Sequence, residues 1–391
     1  MKKIFQSVTI LALVASMTMS CQKDDTDFSN YDFDNYALRS QNGDEDDDTS
    51  AETINTIYIV YSGSSVTVMG DSNGYVSSDG ADVTVDTGTD TDSLLLVLSG
   101  TSTDGSLIVY REKKYGVMLN GLTLHNSDGP AINNQCGKSL YIEVAAGTTN
   151  SLTDGTAYDE TVGYQQKGTL FSEGQVYFLG SGSLTVEGHC KNAIASDDYV
   201  VISEDVQLNV TSTASNGIKV NEGFYIDGGT VEISVTADGA RGIKCDSVVV
   251  VSGGSMTITT AGDCKIESTD GVADTTSAAC IKSSCQFMMT GGSVTLTSSG
   301  DGGKGINCDE DVVVSGGTLE VTTTGSSTLG KPKGVKGVTG ITVSGGSFTA
   351  TVAKSWACDN GTDSEDPADR VTIVGTPTTQ TLAKKSVVIV F

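Results

Sequence analysis

Ten residues after the first glycine of three successive Gly-Gly pairs stands an aspartate: Asp238, Asp263 and Asp301. The same offset after the next two pairs gives Ser326 and Ser355. If the chain repeats its path with each pair, the three carboxylates stack at the spacing of neighbouring strands, about 4.8 Å. Unit charges that far apart repel by ~1 kcal/mol in water and ~3.5 kcal/mol at an effective dielectric of 20. Such a column needs a compensating partner. Calcium, with its hard oxygen ligands and adaptable geometry, is the expected cofactor. Solvated turn aspartates, each bonding its own loop backbone, are the structural alternative. Asp197-Asp198 is a second acidic candidate for the same ion.

A second column is basic. Lys219, Lys244, Lys282 and Lys336 recur, interrupted by Asn307, and two residues further on lie Asn221, Asp246, Ser284 and Asp309. Positions two apart in a strand share a face, so Lys244 and Asp246 are predicted neighbours on the outside of an exposed ion-pair lattice. His125 and His189 have no nucleophile motif beside them, and no CxxC pair or zinc-spaced cluster occurs. Triad and zinc chemistry therefore have no support. Asp359, Gly361, Asp363 and Glu365 alternate like a calcium loop, but the glycine and final glutamate are misplaced. Flat faces suited to sugar stacking are Trp356, the single Trp, with Tyr164, Tyr177, Tyr199 and Tyr225.

The elements that position these residues follow from the repeat. Gly-Gly recurs at Gly228, Gly253, Gly291, Gly316 and Gly345, separated by 25, 38, 25 and 29 residues. A short apolar strand precedes each pair, as in Phe224 to Ile226 or Val248 to Val251, and an alternating strand follows, as in Val231/Ile233/Val235. A third element opens each round, such as Gly217-Ile218-Lys219 and Gly242-Ile243-Lys244. Three short strands per round is the size of one coil of a parallel β-helix, which buries its apolar face only by stacking on its neighbours. Separate sandwiches of that size would lack a core. The fold class predicted is all-β, a single solenoid over residues 53–391, with the run Val387 to Phe391 closing its last edge. The additional residues of the two longer rounds fall just after the aspartate column, as insertions at one binding edge would. Cys245 and Cys308 share an inward column with Ser283 between them, so the eight cysteines from Cys136 to Cys358 read as fillers, not disulfides.

Charge limits the partners. With 23 basic and 49 acidic residues among 391, the net charge is -26, which excludes nucleic acid and anionic lipid surfaces. Residues 1–21 have the form of a signal peptide, with Lys2-Lys3, an apolar stretch and Ser20-Cys21. Cys21 is the expected lipidation site and the lipid the expected contact with membrane. Residues 22–52 carry eleven acids against two bases and read as a solvated tether. Gln22-Lys23-Asp24-Asp25 resembles the acidic export tag of Gram-negative surface lipoproteins, which implies an outer-membrane lipoprotein exposed at the cell surface. The expected state is a monomer.

Phe171-Ser172-Glu173-Gly174, Gly180 to Val186, Ala195-Ser196-Asp197-Asp198 and the Gly-Ile-Lys coils resemble the carbohydrate-binding β-helix family related to family 9 pectate lyases. The resemblance spans roughly Ile54 to Phe391, and the sequence departs from it at Asp238-Gly239-Ala240-Arg241 and Asp263-Cys264. It implies a right-handed parallel β-helix, bound calcium, and non-catalytic binding of plant-cell-wall polysaccharide such as pectin or cellulose. It also implies that a lyase, if this were one, would draw its lysine base from Lys219, Lys244 or Lys282. An adhesin or scaffold that binds protein is the third reading. The predicted glycan contacts are Tyr199, Tyr225 and Trp356.

Overall fold

The computed structural model describes residues 54–90, 92–269 and 272–391. The leader, Cys21 and the acidic stretch 22–52 lie outside the described residues. The chain winds into a β-solenoid of about 11 turns. Two strand columns run together in a 23-stranded sheet and the third forms a 12-stranded sheet. Call them the long and the short sheet. In one coil the columns are Gly223–Ile226, Thr230–Val235 and Arg241–Cys245. Each pairs in parallel with its equivalent one repeat away, so Phe224 faces Val249, Val231 faces Met256 and Ile218 faces Ile243.

Inward side chains stack into columns that repeat for the whole length. Ile194, Ile218, Ile243, Ile281 and Ile306 form one of them, all with no exposed surface. The core they build is continuous from Ile57 to Ile389. Each coil therefore buries its apolar face against two neighbours, and stability is shared along the stack.

The two glycines of each pair do different work. A Cβ on Gly253 would lie 2.0 Å from the Asp227 carbonyl oxygen of the preceding coil, and one on Gly316 would lie 2.2 Å from that of Thr290. The second glycine takes positive φ, 66° at Gly254 and 76° at Gly317. One position needs room for a close backbone approach, and the other needs the left-handed region.

Both ends of the solenoid are closed by antiparallel pairing. Asn55–Ser62 pairs with Ser65–Met69 at the start, and Ser347–Val352 pairs with Ser386–Val390 at the end. The closing run thus covers an edge that would otherwise template further strands. The eight cysteines from Cys136 on form no disulfides, and Cys245 and Cys308 lie on either side of Ser283 in one buried column. Among the described residues no helix is long and apolar enough to cross a membrane.

Insertions gather at the corner between the second and third strands of a coil. Lys265–Thr269 and Val272–Thr276 form an antiparallel hairpin there, and residues 324–332 form a loop. A further insertion, residues 155–167, leaves the same corner between Thr149–Asp154 and Gly168–Ser172.

Candidate functional site

The loop 155–167 makes the cleft. Its base is fastened to the preceding coil, where the Asp159 amide donates to the Asp128 carbonyl at 2.7 Å, and to its own strand, where the Tyr158 hydroxyl donates to Asp154 Oδ2 at 2.6 Å. Its far end is gripped by the outer face of the short sheet. Asn133 Nδ2 and Gln135 Nε2 both donate to the Gln165 carbonyl, at 3.0 and 3.1 Å. Lys191 reaches the Gln166 carbonyl at 2.9 Å and pairs with Glu160 at 3.0 Å. With both ends fixed, Val162, Gly163 and Tyr164 stand over the sheet and enclose an open cleft of about 750 Å³ with Tyr110, Gln135, Gln165 and Glu173.

The floor follows from strand alternation. Asp86 faces Tyr110 across the first parallel pair, and the amides of Gln135, Glu173 and Asp197 each bond back to the previous coil, which continues the column outward. Tyr110 and Tyr164 are both half-buried. Burial pushes both phenols up, and neighbouring charges add to it: Asp86 and Glu173 at Tyr110, Asp128, Asp82 and Asp159 at Tyr164. Two aromatic rings, two amides and a carboxylate line this open cleft, a more polar lining than that of an enclosed small-molecule pocket.

The aspartate column stacks as the spacing predicts, but its carboxylates are engaged by backbone. Asp263 N–H donates to Asp238 Oδ1 at 2.9 Å and Asp301 N–H to Asp263 Oδ1 at 2.7 Å. Thr328 and Leu329 amides then cap both oxygens of Asp301 at 3.0 Å. Partial burial works against ionisation of Asp301, yet hydrogen bonds from Ser326, Leu329 and Thr328 outweigh it and hold the carboxyl low. Asp197 pairs with Lys167 at 2.5 Å. Among the described residues no three His, Cys, Asp or Glu side chains gather as a metal would need. Amide donors from the next coil thus offset part of the repulsion along the column.

Asp198 behaves differently. Burial, then the charge and hydrogen bond of Glu222, push its carboxyl up to about 7. A raised carboxyl favours the protonated native state, so its contribution is full below the unfolded value near 4 and is lost as pH rises to about 7. Melting temperature is thus expected to fall across that window in the wild type. In Asp198→Asn the fall should flatten, and an unchanged slope would remove Asp198 as its source.

The lysine column also has the predicted register, Lys219 beside Lys244 beside Lys282. Lys219 and Lys244 share Asp246 at 3.3 and 3.7 Å, and Lys282 pairs closely with Asp309. These amines are held in a surface ion-pair lattice. The lysine with altered basicity is Lys304, pushed down to about 8 by burial and then by Lys336, with its amine on the Ser277 hydroxyl.

The predicted stacking faces are placed elsewhere. Trp356 is 9% exposed, with the Arg370 guanidinium 3.7 Å and the Lys384 amine 4.3 Å from its ring centroid. It is an anchor for the C-terminal closure, not an open platform. Tyr199 and Tyr225 belong to a cluster on the outer face of the long sheet. Tyr141 stacks on Tyr177, Tyr177 meets Tyr199 edge-on, and Tyr199 meets Tyr225 edge-on at 6.1 Å. Tyr177 and Tyr199 also join hydroxyls at 2.6 Å, and with Tyr199 8% exposed the cluster packs on itself. Sequence reasoning marked Tyr164 as a stacking face but missed Tyr110, Gln135, Gln165 and Glu173 as cleft residues. The available signal was the long aperiodic gap between Asp154 and Gly168, at the corner where two other insertions were already legible.

Residues 79–264 and 233–327 match a family model described as carbohydrate-binding domain-containing protein. The chain belongs to that family. No curated protein matches this carbohydrate-binding domain protein. Among solved structures it is similar to one titled as the polysaccharide lyase-like protein from C. thermocellum, gadolinium derivative. The two share 24% identity with a TM-score of 0.53, over 66% of this chain and 96% of the other. That likeness carries the parallel β-helix fold.

Proposed function

We propose that this protein binds polysaccharide, with the cleft between Tyr110 and Tyr164 as the aromatic seat and the outer face of the short sheet as the track beyond it. The observation that carries this reading is the cleft itself. An insertion pinned at both ends holds one tyrosine over the sheet near a second, among amide and carboxylate groups, in a member of the carbohydrate-binding domain family. Sugar rings offer a C–H face to aromatic side chains and hydroxyls to polar ones, and this lining supplies both partners. The sequence basis for display at the cell surface is the leader ending at Cys21 and the acidic stretch after it.

The test is a titration of the protein against a panel of soluble polysaccharides. Tyr110→Ala and Tyr164→Ala are each expected to weaken binding about tenfold or more, ~1.4 kcal/mol, as loss of an aromatic anchor does. Neither ring lies in the solenoid core, so melting temperature should hold. The same titration in chelator tests the calcium expected from the sequence: loss of affinity would support a calcium-assisted site, and unchanged affinity would reject it. Wild-type affinity in both tyrosine variants would reject the cleft.

A lyase is the second reading, and Lys304 is what favours it. Burial lowers its basicity to about 8, which leaves about a tenth of the amine as free base at pH 7, and the amine sits on the Ser277 hydroxyl outside the cleft. Unsaturated products in the same titration, abolished in Lys304→Ala, would establish it.

A further inference from the structure

One column on the outside of the long sheet breaks the alternation that its neighbour keeps. In Thr230–Val235 the outward Thr230, Glu232 and Ser234 are exposed, while Val231, Ile233 and Val235 are buried. In Val176–Gly180 both sides are buried. Val176 and Phe178 point into the core, and Tyr177 and Leu179 point outward, yet the outward pair are 0% and 1% exposed. Tyr199 and Val201 repeat this one coil on, and Leu95 and Val97 do so nearer the start. A sheet that is apolar and buried on both sides is a covered sheet. Glu143 shares this face two residues from Tyr141, and its Oε2 is buried with no hydrogen-bond donor among the described residues. Such an oxygen needs a donor from whatever lies over it.

The register says where a cover would come from. The outward column runs from Thr56 through Leu95, Gly116, Tyr141, Tyr177 and Val201 to Tyr225, about 29 Å at the spacing of parallel strands. The chain thus enters the solenoid, at Ile54 and Asn55, at one end of the covered face. Ahead of that entry Phe28, Tyr31, Phe33 and Tyr36 crowd four aromatic rings into residues 28–36, a density foreign to a solvated tether. Tyr hydroxyls and the Asn30 and Asn35 amides supply the missing kind of donor. Residues 37–53 reach about 56 Å when extended, well beyond the length of the column. Charge marks the path between. Lys113 and Lys114 precede Tyr115, and Lys138 precedes its partner Leu140 one coil on, so three amines stand between the entry and the tyrosines. The run Asp44 to Asp48, of opposite sign, lies between the aromatic segment and Ile54.

We infer that residues 28–36 dock on the outer face of the long sheet, their rings against Tyr141, Tyr177, Tyr199 and Tyr225, with the acidic run held at Lys113, Lys114 and Lys138. The segment is then a clasp more than a spacer. In a chain anchored at Cys21 it leaves residues 22–27 to separate lipid from solenoid, while the cleft on the short sheet stays open.

The experiment is hydroxyl-radical footprinting of the full mature chain beside its Tyr31→Ser/Phe33→Ser variant. Oxidation of Tyr177, Tyr199 and Tyr225 is expected to rise severalfold in the variant, with Trp356 labelled as in wild type. Lys113→Glu/Lys114→Glu should raise the same three by a smaller factor, and carbodiimide should join Lys113 or Lys114 to the run Asp44 to Asp48 within one molecule. Protection that persists in Tyr31→Ser/Phe33→Ser would overturn the inference. So would protection that disappears on dilution of the wild type to monomer, because a second copy would then be the cover.

Discussion

Ile218→Asp is expected to unfold much more than the coil that carries it. Ile218 has no exposed surface and stacks between Ile194 and Ile243. A carboxylate there would have no cation and no donor, and such a group destabilises by several kcal/mol even when it takes up a proton. The loss should exceed ~4 kcal/mol, the range reserved for buried unpaired charges and large cavities. Because each coil is held only by its neighbours, two interfaces break together. Ile218→Val, which removes one methylene group from the same column, is expected to cost only about 0.5–1.5 kcal/mol. Denaturant melts of both variants give the size, and hydrogen exchange in Asn192–Ser196 and Arg241–Cys245 gives the spread. Wild-type stability in Ile218→Asp would mean that the column does not form the core.

Asp359→Ala is expected to release the C-terminal closure. Asp359 binds the Lys333 amine on one side and the Arg370 guanidinium, at 2.9 Å, on the other. The three side chains are 15%, 10% and 5% exposed, in the order Asp359, Lys333, Arg370. Removing the carboxylate leaves two cations buried side by side, a change worth ~3–5 kcal/mol when a buried pair is broken. Arg370 also holds the Thr362 and Ser364 carbonyls and covers Trp356, so the loss should extend through the cap. Asp359→Asn separates charge from packing and should fall between wild type and Ala. Burial opposes ionisation of Asp359, but Lys333, the Gly361 amide and Arg370 hold it below the ordinary carboxylate range. Its contribution is therefore present above the unfolded value near 4 and is lost only as pH falls through the lower folded value. An Asp359→Ala protein within about 0.5 kcal/mol of wild type would deny the network a structural role.

The solenoid was legible because its signals are local and periodic. The Gly-Gly pairs set the corners, the alternating valines and isoleucines set the inward face, and counting from them placed Lys219 beside Lys244 and Asp238 beside Asp263 correctly. What a repeat cannot tell is what lies over a column. Residues 155–167 carry no period, so their return across Tyr110 had no signature beyond their length. Trp356 reads as a sugar platform until Arg370 and Lys384, distant in sequence, are found against its ring. The aspartates read as an ion site because stacking implies repulsion. The donors that relieve it are amides of the next coil, and an amide leaves no mark in side-chain sequence.

The cleft is the centre of this account, and footprinting by hydrogen–deuterium exchange tests it most directly. The protein is compared with and without a saturating glycan that binds it. The account predicts new protection in residues 162–165, at Tyr110 and along the column through Gln135 and Glu173, with the outer face of the long sheet around Tyr177 unchanged. Protection confined to that tyrosine cluster, or to the C-terminal closure around Trp356, would contradict it.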